Sequence, residues 1–177
     1  MNKWQKTSDE VIKTLPYSVA EWLLEYGSLT EKLEARIGQK INIKVLQESV
    51  SEANSKEAEL LSLERGNEIW TREVLLYGSE NPWIYAKTIV PMNSAFLIES
   101  LGDKPLGSIL FSEKELQRQM LRVRQLDHKH HLFQCAKTNC DFEIEKLWAR
   151  RSLWQNSKHK ELELLVSEVF LPDSPLY

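Results

Sequence analysis

The sequence predicts an α+β fold: a single antiparallel sheet of about six strands with helices packed on one side. Two observations carry that expectation. Apolar spacing is helical near the N-terminus, changes to a period of two at Ile41, and is followed by five further extended segments. Short turns link several of those segments, and short turns favour antiparallel pairing. The chain has 177 residues and no repeat or long linker, so one domain spanning 1–177 is expected.

Residues 1–16 are polar and end at Pro16, an N-terminal extension that lies along the surface or is partly disordered. Ser18 followed by Glu21 has capping-box spacing, and Trp22, Leu23 and Tyr26 continue a helical stripe to Gly27. Ser28 with Glu31 repeats the signature and opens a second short helix to about Gly38. Ile41, Ile43 and Val45 alternate with polar residues as a strand; Ser49 to Leu60 is a loop or a short helix. Glu68 to Tyr77 is a strand, 78–82 its turn, and Trp83 to Val90 the returning partner, ended by Pro91. Phe96 to Leu101 reads as helical and Pro105 to Phe111 as a short helix or turn. Leu116 to Arg124, Leu147 to Trp154 and Leu162 to Leu171 are the remaining extended segments.

Twenty-three Lys and Arg against 26 Asp and Glu leave a net charge of −3, which argues against a nucleic-acid binder. No apolar run reaches the roughly 18 residues of a membrane span, and the N-terminus lacks a signal-peptide pattern. Two cysteines, Cys135 and Cys140, make no disulfide framework, so a cytoplasmic protein with reduced thiols is expected.

Strand parity singles out two charges. Arg72 shares a face with Trp70, Val74 and Leu76, and Glu168 shares one with Leu162, Leu164, Val166 and Phe170. An unpaired charge on such a face costs several kcal/mol, so each needs a partner. Either the two pair with each other as a structural ion pair, or both face one cavity, binding an anionic ligand and accepting a proton or hydrogen bond. Arg150 and Arg151 are neighbours and point to opposite faces; parity does not choose which one faces inward. Lys87 lies with Trp83, Tyr85 and Ile89 and could reach the surface along them.

These residues fall in stretches that resemble the chorismate pyruvate-lyase family. The matching stretches begin with Trp22-Leu23-Leu24, Gly27-Ser28-Leu29-Thr30 and Trp70-Thr71-Arg72-Glu73-Val74-Leu75-Leu76. Pro82-Trp83, Thr88-Ile89-Val90-Pro91 and Leu101 to Gly107 follow. Leu147 to Ser152, Ser167 to Pro172 and Ser174-Pro175-Leu176-Tyr177 complete the set. The resemblance implies conversion of chorismate to 4-hydroxybenzoate and pyruvate for ubiquinone synthesis, by a monomer needing no metal or organic cofactor. It implies a product buried beneath helical flaps, with Arg72 gripping the ring carboxylate and Glu168 contacting the ring hydroxyl. Leu29 and Leu106 stand where the family contributes further contacts. Lys87 replaces a common arginine, Ala149 a usual glycine, and Leu29 a frequent methionine.

The main departure is an insertion over 126–144 containing His128, His130, His131, Cys135 and Cys140. Its spacing fits no standard zinc pattern, and solvated side chains on a polar loop are expected. The substrate's second carboxylate calls for a second cation, from Arg150, Arg151 or Lys87. Glu168 either removes the C4 hydrogen or orients the hydroxyl while that hydrogen moves within the substrate. The Gly27-Ser28 corner and the Gly102 to Gly107 segment have the small residues suited to moving flaps. The alternative function is a non-catalytic domain that binds a small aromatic or carboxylic acid, like the effector domains of some transcription regulators.

Overall fold

Each long period-two segment becomes a strand in the computed structural model, which describes residues 1, 3–97, 106, 110 and 115–177. In chain order the elements are β1 (Gln5–Lys6), α1 (Glu10–Lys13), α2 (Tyr17–Leu23), α3 (Leu29–Ile37), β2 (Asn42–Glu52) and α4 (Ser55–Leu60). There follow β3 (Glu68–Gly78), β4 (Asn81–Pro91), a 3-10 turn (Met92–Leu97), β5 (Leu116–Asp127), α5 (His131–Asn139), β6 (Lys146–Asn156) and β7 (Glu163–Phe170). The strands form one antiparallel sheet of seven in the order β1-β5-β6-β7-β4-β3-β2. The seventh strand is the two-residue β1, so the N-terminal extension joins the edge of the sheet. The expected helix over 96–101 and the short helix over 105–111 fall largely outside the described residues.

Caps explain where the early helices begin. Ser28 Oγ accepts from Glu31 N at 3.2 Å and starts α3, which ends at Gly38 in the left-handed conformation, φ 70°. Ser18 does not cap α2. Pro16 takes the N-cap, and its carbonyl accepts from Val19 N and Ala20 N. A proline restricts the residue before it, so the helix starts there.

Helices cover both faces of the sheet, not one. Trp22, Leu23, Leu29 and Leu33 of α2 and α3 pack with Leu76, Ile84, Ala86, Val123 and Phe170 on the first face. On the reverse face Leu132, Phe133 and Ala136 of α5 pack with Leu75, Tyr85, Ala149 and Val169. Ala58 and Leu61 pack there with Ile69, Ile89 and Leu165 at the other end, through α4. The segment 126–144, expected as a polar loop, instead carries the end of β5 and an amphipathic helix over His131–Asn139 built into a core cluster.

The β3–β4 hairpin turns on Ser79 and Glu80, with Gly78 opposite Asn81 and Ser79 at φ 70°. A Cβ on Gly78 would stand 2.0 Å from ring atoms of Trp83. Gly78→Ala is expected to displace that ring and to lower the urea midpoint, at a cost of about 1–3 kcal/mol. An unchanged midpoint would show that the ring relocates freely.

Candidate functional site

The pleat gathers the charged side chains. β3 contributes Arg72, Val74 and Leu76 to one cavity, β4 contributes Ala86 and Thr88, and β7 contributes Val166 and Glu168. Arg150, Ser152 and Trp154 reach it from β6, and Arg118 from β5. The α2–α3 corner closes one side with Ser28, Leu29 and Thr30, and Leu106 and Leu110 close another. The cavity volume is about 60 Å³, several times the roughly 10–15 Å³ that admits one water.

Arg72 and Glu168 thus share a cavity but are not each other's partner. Arg72 NH1 lies 3.2 Å from Glu48 Oε1, and Glu48 is half-exposed at the rim. Glu168 is held by Arg150, whose Nε donates to Oε2 at 2.5 Å and whose NH2 donates to Oε1 at 3.2 Å. Arg150 is 1% exposed, and its NH1 donates to the Glu25 carbonyl at 2.8 Å. Three of its five N–H donors are committed to Glu168 and to the corner. Each carboxylate oxygen of Glu168 retains a second lone pair for a ligand hydroxyl.

Arg118 and Ser152 were not singled out by sequence reasoning. Arg118 NH1 donates to Tyr26 O at 2.6 Å, and its guanidinium covers the Trp154 ring at 4.6 Å. Burial, with repulsion from Arg150, lowers its pKa to about 10, so it remains charged at neutral pH. Ser152 Oγ is buried and meets no partner among the described residues, a hydroxyl available to whatever fills the cavity. A β-bulge between Arg118 and Met120 hides Arg118 from parity, because the extra residue switches the strand's faces. A second bulge, between Val45 and Gln47, likewise brings Glu48 opposite Arg72. Of the expected residues, Arg72, Glu168, Leu29, Leu106 and Arg150 line the cavity together.

Lys87 and Arg151 are not brought to this cavity; both sit on the reverse face. Lys87 Nζ lies 3.7 Å from Glu73, whose other oxygen accepts from Tyr85 OH at 2.7 Å. Arg151 Nε donates to Ser167 Oγ at 3.1 Å, and its guanidinium covers Trp4 at 4.3 Å. Odd-numbered positions in β4 and β6 point away from the first face, which fixes both placements. Of the three cations expected at the second carboxylate, Arg150 lines the cavity and Arg151 and Lys87 do not; Arg118, which was not expected, lines it as well. Two histidines of the insertion are engaged locally. His130 Nδ1 accepts from Leu132 N at 3.2 Å, and His131 Nε2 is 3.4 Å from Cys135 Sγ. No group of three or more potential metal ligands occurs among the described residues.

Burial, reinforced by Arg124 and Arg151, pushes the His130 pKa from its ordinary 6.5 down to about 4. Between those values the unfolded chain binds the proton that the folded chain refuses, so stability falls as pH drops through that window. His130→Asn keeps a capping side chain and is expected to flatten the fall in melting temperature on acidification. Identical slopes for variant and wild type would show that His130 is not the titrating group.

Comparisons with known proteins place the chain in a family. A sequence profile described as chorismate lyase matches residues 1–177. The chorismate pyruvate-lyase of Pectobacterium atrosepticum is 35% identical over 167 residues, covering 92% of this chain and 82% of that protein. The enzyme of the same name from Hamiltonella defensa is 37% identical over 168 residues, covering 92% and 83%. Among solved structures, the effector domain of PhnF from Mycobacterium smegmatis superposes with a TM-score of 0.60 at 15% identity, over 83% of this chain and 90% of that one. A likeness at that identity shows the fold alone.

Proposed function

The chain belongs to the chorismate lyase family, and from that premise we propose that it is a chorismate pyruvate-lyase, a carbon–oxygen lyase acting on chorismate. It removes pyruvate and leaves 4-hydroxybenzoate, the aromatic acid used in ubiquinone synthesis. One observation carries the reading most strongly. Among the described residues the cavity lining is apolar except for three guanidinium groups, one carboxylate and a few hydroxyls. Three guanidinium groups against one carboxylate on the lining, with Glu48 beside Arg72 at the rim, leave a cationic cavity that suits the two carboxylates of chorismate.

In the mechanism that follows, Arg72 binds the ring carboxylate through its fork. Arg118 takes the enolpyruvyl carboxylate, since Arg150 is already committed to Glu168 and Glu25. Glu168, fixed by Arg150, accepts the C4 hydroxyl, and Ser152 offers a further hydrogen bond. Breaking the C3–oxygen bond and losing the C4 hydrogen makes the ring aromatic, so the reaction runs downhill. The protein supplies position and charge, and no cofactor is assigned to it. The C4 hydrogen passes directly to the enolpyruvyl methylene, or as a proton to Glu168 while the departing enolpyruvate takes a proton from water; by either route the methylene becomes the methyl group of pyruvate. We place the reaction in the cytoplasm and assign it to a monomer, the form the family resemblance implies. No helix among the described residues is long and apolar enough to cross a membrane.

Purified protein mixed with chorismate is expected to release pyruvate and 4-hydroxybenzoate in equal amounts, followed by coupled pyruvate reduction and by ultraviolet absorbance. Binding of 4-hydroxybenzoate without pyruvate release would instead describe an acid-sensing domain. Neither binding nor release would leave the inward charges as structural.

A further inference from the structure

The reverse face of the sheet carries a second arginine cluster, separate from the lyase cavity. Arg122 of β5 pairs in register with Arg151 of β6, and Arg124 lies two residues further along the same face. Lys6 pairs with Arg122 from the edge strand β1, so four cationic residues adjoin one another. Directly opposed side chains on antiparallel strands stand about 5 Å apart, and like charges there are destabilising. The protein offers little to offset this. Among the described residues no carboxylate lies within ion-pair distance of Arg122, Arg124 or Arg151. The Nε atoms of Arg122 and Arg124 are buried and meet no hydrogen-bond acceptor among the described residues. Fully solvated arginines would keep those donors in water; Arg151 is answered in part by Ser167 Oγ and the Trp4 ring, whereas the Nε donors of Arg122 and Arg124 are desolvated and unanswered among the described residues.

Charged groups from the two reverse-face helices frame the cluster. Glu57 of α4 is the acid whose charge acts on Arg151. Lys56 of α4 lies near His130, which stays neutral at pH 7 because its pKa is held at about 4. The balance is strongly positive, and it sits on a chain whose net charge is −3. A carboxylate would bring one negative charge and two acceptor oxygens. A phosphate monoester brings nearly two charges and three acceptors, a closer match to three forked donors.

We infer that Arg122, Arg124 and Arg151, with Lys6 at the rim, form a second anion site on the reverse face that takes the phosphate group of a small phosphorylated ligand. The inference is independent of the lyase reading, because no residue of the cluster lines the cavity.

The test titrates wild-type protein with inorganic phosphate and, separately, adenosine 5′-monophosphate, at constant ionic strength adjusted with chloride. Calorimetry and melting temperature report binding. Saturable binding is expected, weakened about tenfold or more by the paired change Arg122→Gln and Arg124→Gln, the loss that follows from removing charge-assisted hydrogen bonds. Arg124→Gln alone, a milder change, is expected to shift affinity in the same direction. Both variants are expected to turn over chorismate at the wild-type rate, which also reports that they fold. Equal affinities for the two probes mean that the phosphate group alone is recognised; tighter binding of the nucleotide means that its organic part contributes. Absence of saturable binding overturns the inference, as does unchanged affinity in the paired variant. So does phosphate binding that competes with 4-hydroxybenzoate and disappears in Arg72→Gln, since it would then belong to the cavity.

Discussion

Replacing Arg72 with alanine is expected to weaken binding of 4-hydroxybenzoate and to raise KM for chorismate by about a hundredfold or more. Arg72 is 5% exposed on β3 and is placed to meet a ring carboxylate with a fork that no neighbour duplicates. Truncating one partner of a buried, hydrogen-bonded charge pair costs about 2–5 kcal/mol, and each 1.4 kcal/mol is tenfold. The stability cost should be smaller, because the partner left behind, Glu48, is 45% exposed and can be solvated. Arg72→Lys keeps the charge but not the fork, so it should fall between the two. Arg118→Gln sharpens the test. If Arg118 holds the enolpyruvyl carboxylate, its loss raises KM for chorismate while leaving 4-hydroxybenzoate affinity nearly intact, because the product has lost that group. Calorimetric titration of product and steady-state kinetics separate the two roles. Unchanged product affinity in Arg72→Ala would move the carboxylate site elsewhere.

The principal charges of the cavity were legible in the sequence because a strand alternates faces, and Arg72 and Glu168 break the apolar pattern of theirs. Their partners were not legible. Parity assumes an unbroken period of two, and one extra residue near Leu46 brings Glu48 onto Arg72's face. A second extra residue near Gln119 turns Arg118 toward the cavity while Arg122 and Arg124 face the other way. Neither bulge has a glycine or proline to mark it. The hairpin at Gly78 and the cap at Ser28 were readable because turn and cap chemistry is local. The N-terminal segment was harder: Ile12 is buried and Trp4 covers Arg151, contacts made across long chain separations. In the insertion, Leu132, Phe133 and Ala136 have helical spacing, but the dense histidines and cysteines drew attention to ligand chemistry instead.

Loss of the Arg150–Glu168 pair is the change expected to damage both fold and catalysis, and separating the two effects identifies what Glu168 does. Arg150 is among the largest fully buried side chains, and Glu168 is 16% exposed beside it. Arg150→Met leaves that carboxylate without its cation and frees the Glu25 carbonyl that closes the corner. Breaking one side of a buried pair costs about 3–5 kcal/mol, so the denaturant midpoint should drop more than for any other substitution proposed here. Glu168→Gln is milder, because an amide of the same shape can still accept from Arg150. The double variant, Arg150→Met with Glu168→Gln, removes the stranded charge and should recover part of the stability. Turnover distinguishes the two catalytic roles of Glu168. If Glu168 takes the C4 hydrogen, Glu168→Gln loses kcat while product affinity changes little. If the carboxylate only orients the hydroxyl, kcat stays near normal and binding weakens. Restored stability with turnover still absent in the double variant would show that the pair serves the chemistry as well as the fold. Wild-type stability in Arg150→Met would show that the cavity hydrates once the cation is gone, and the positioning role of Arg150 would fail.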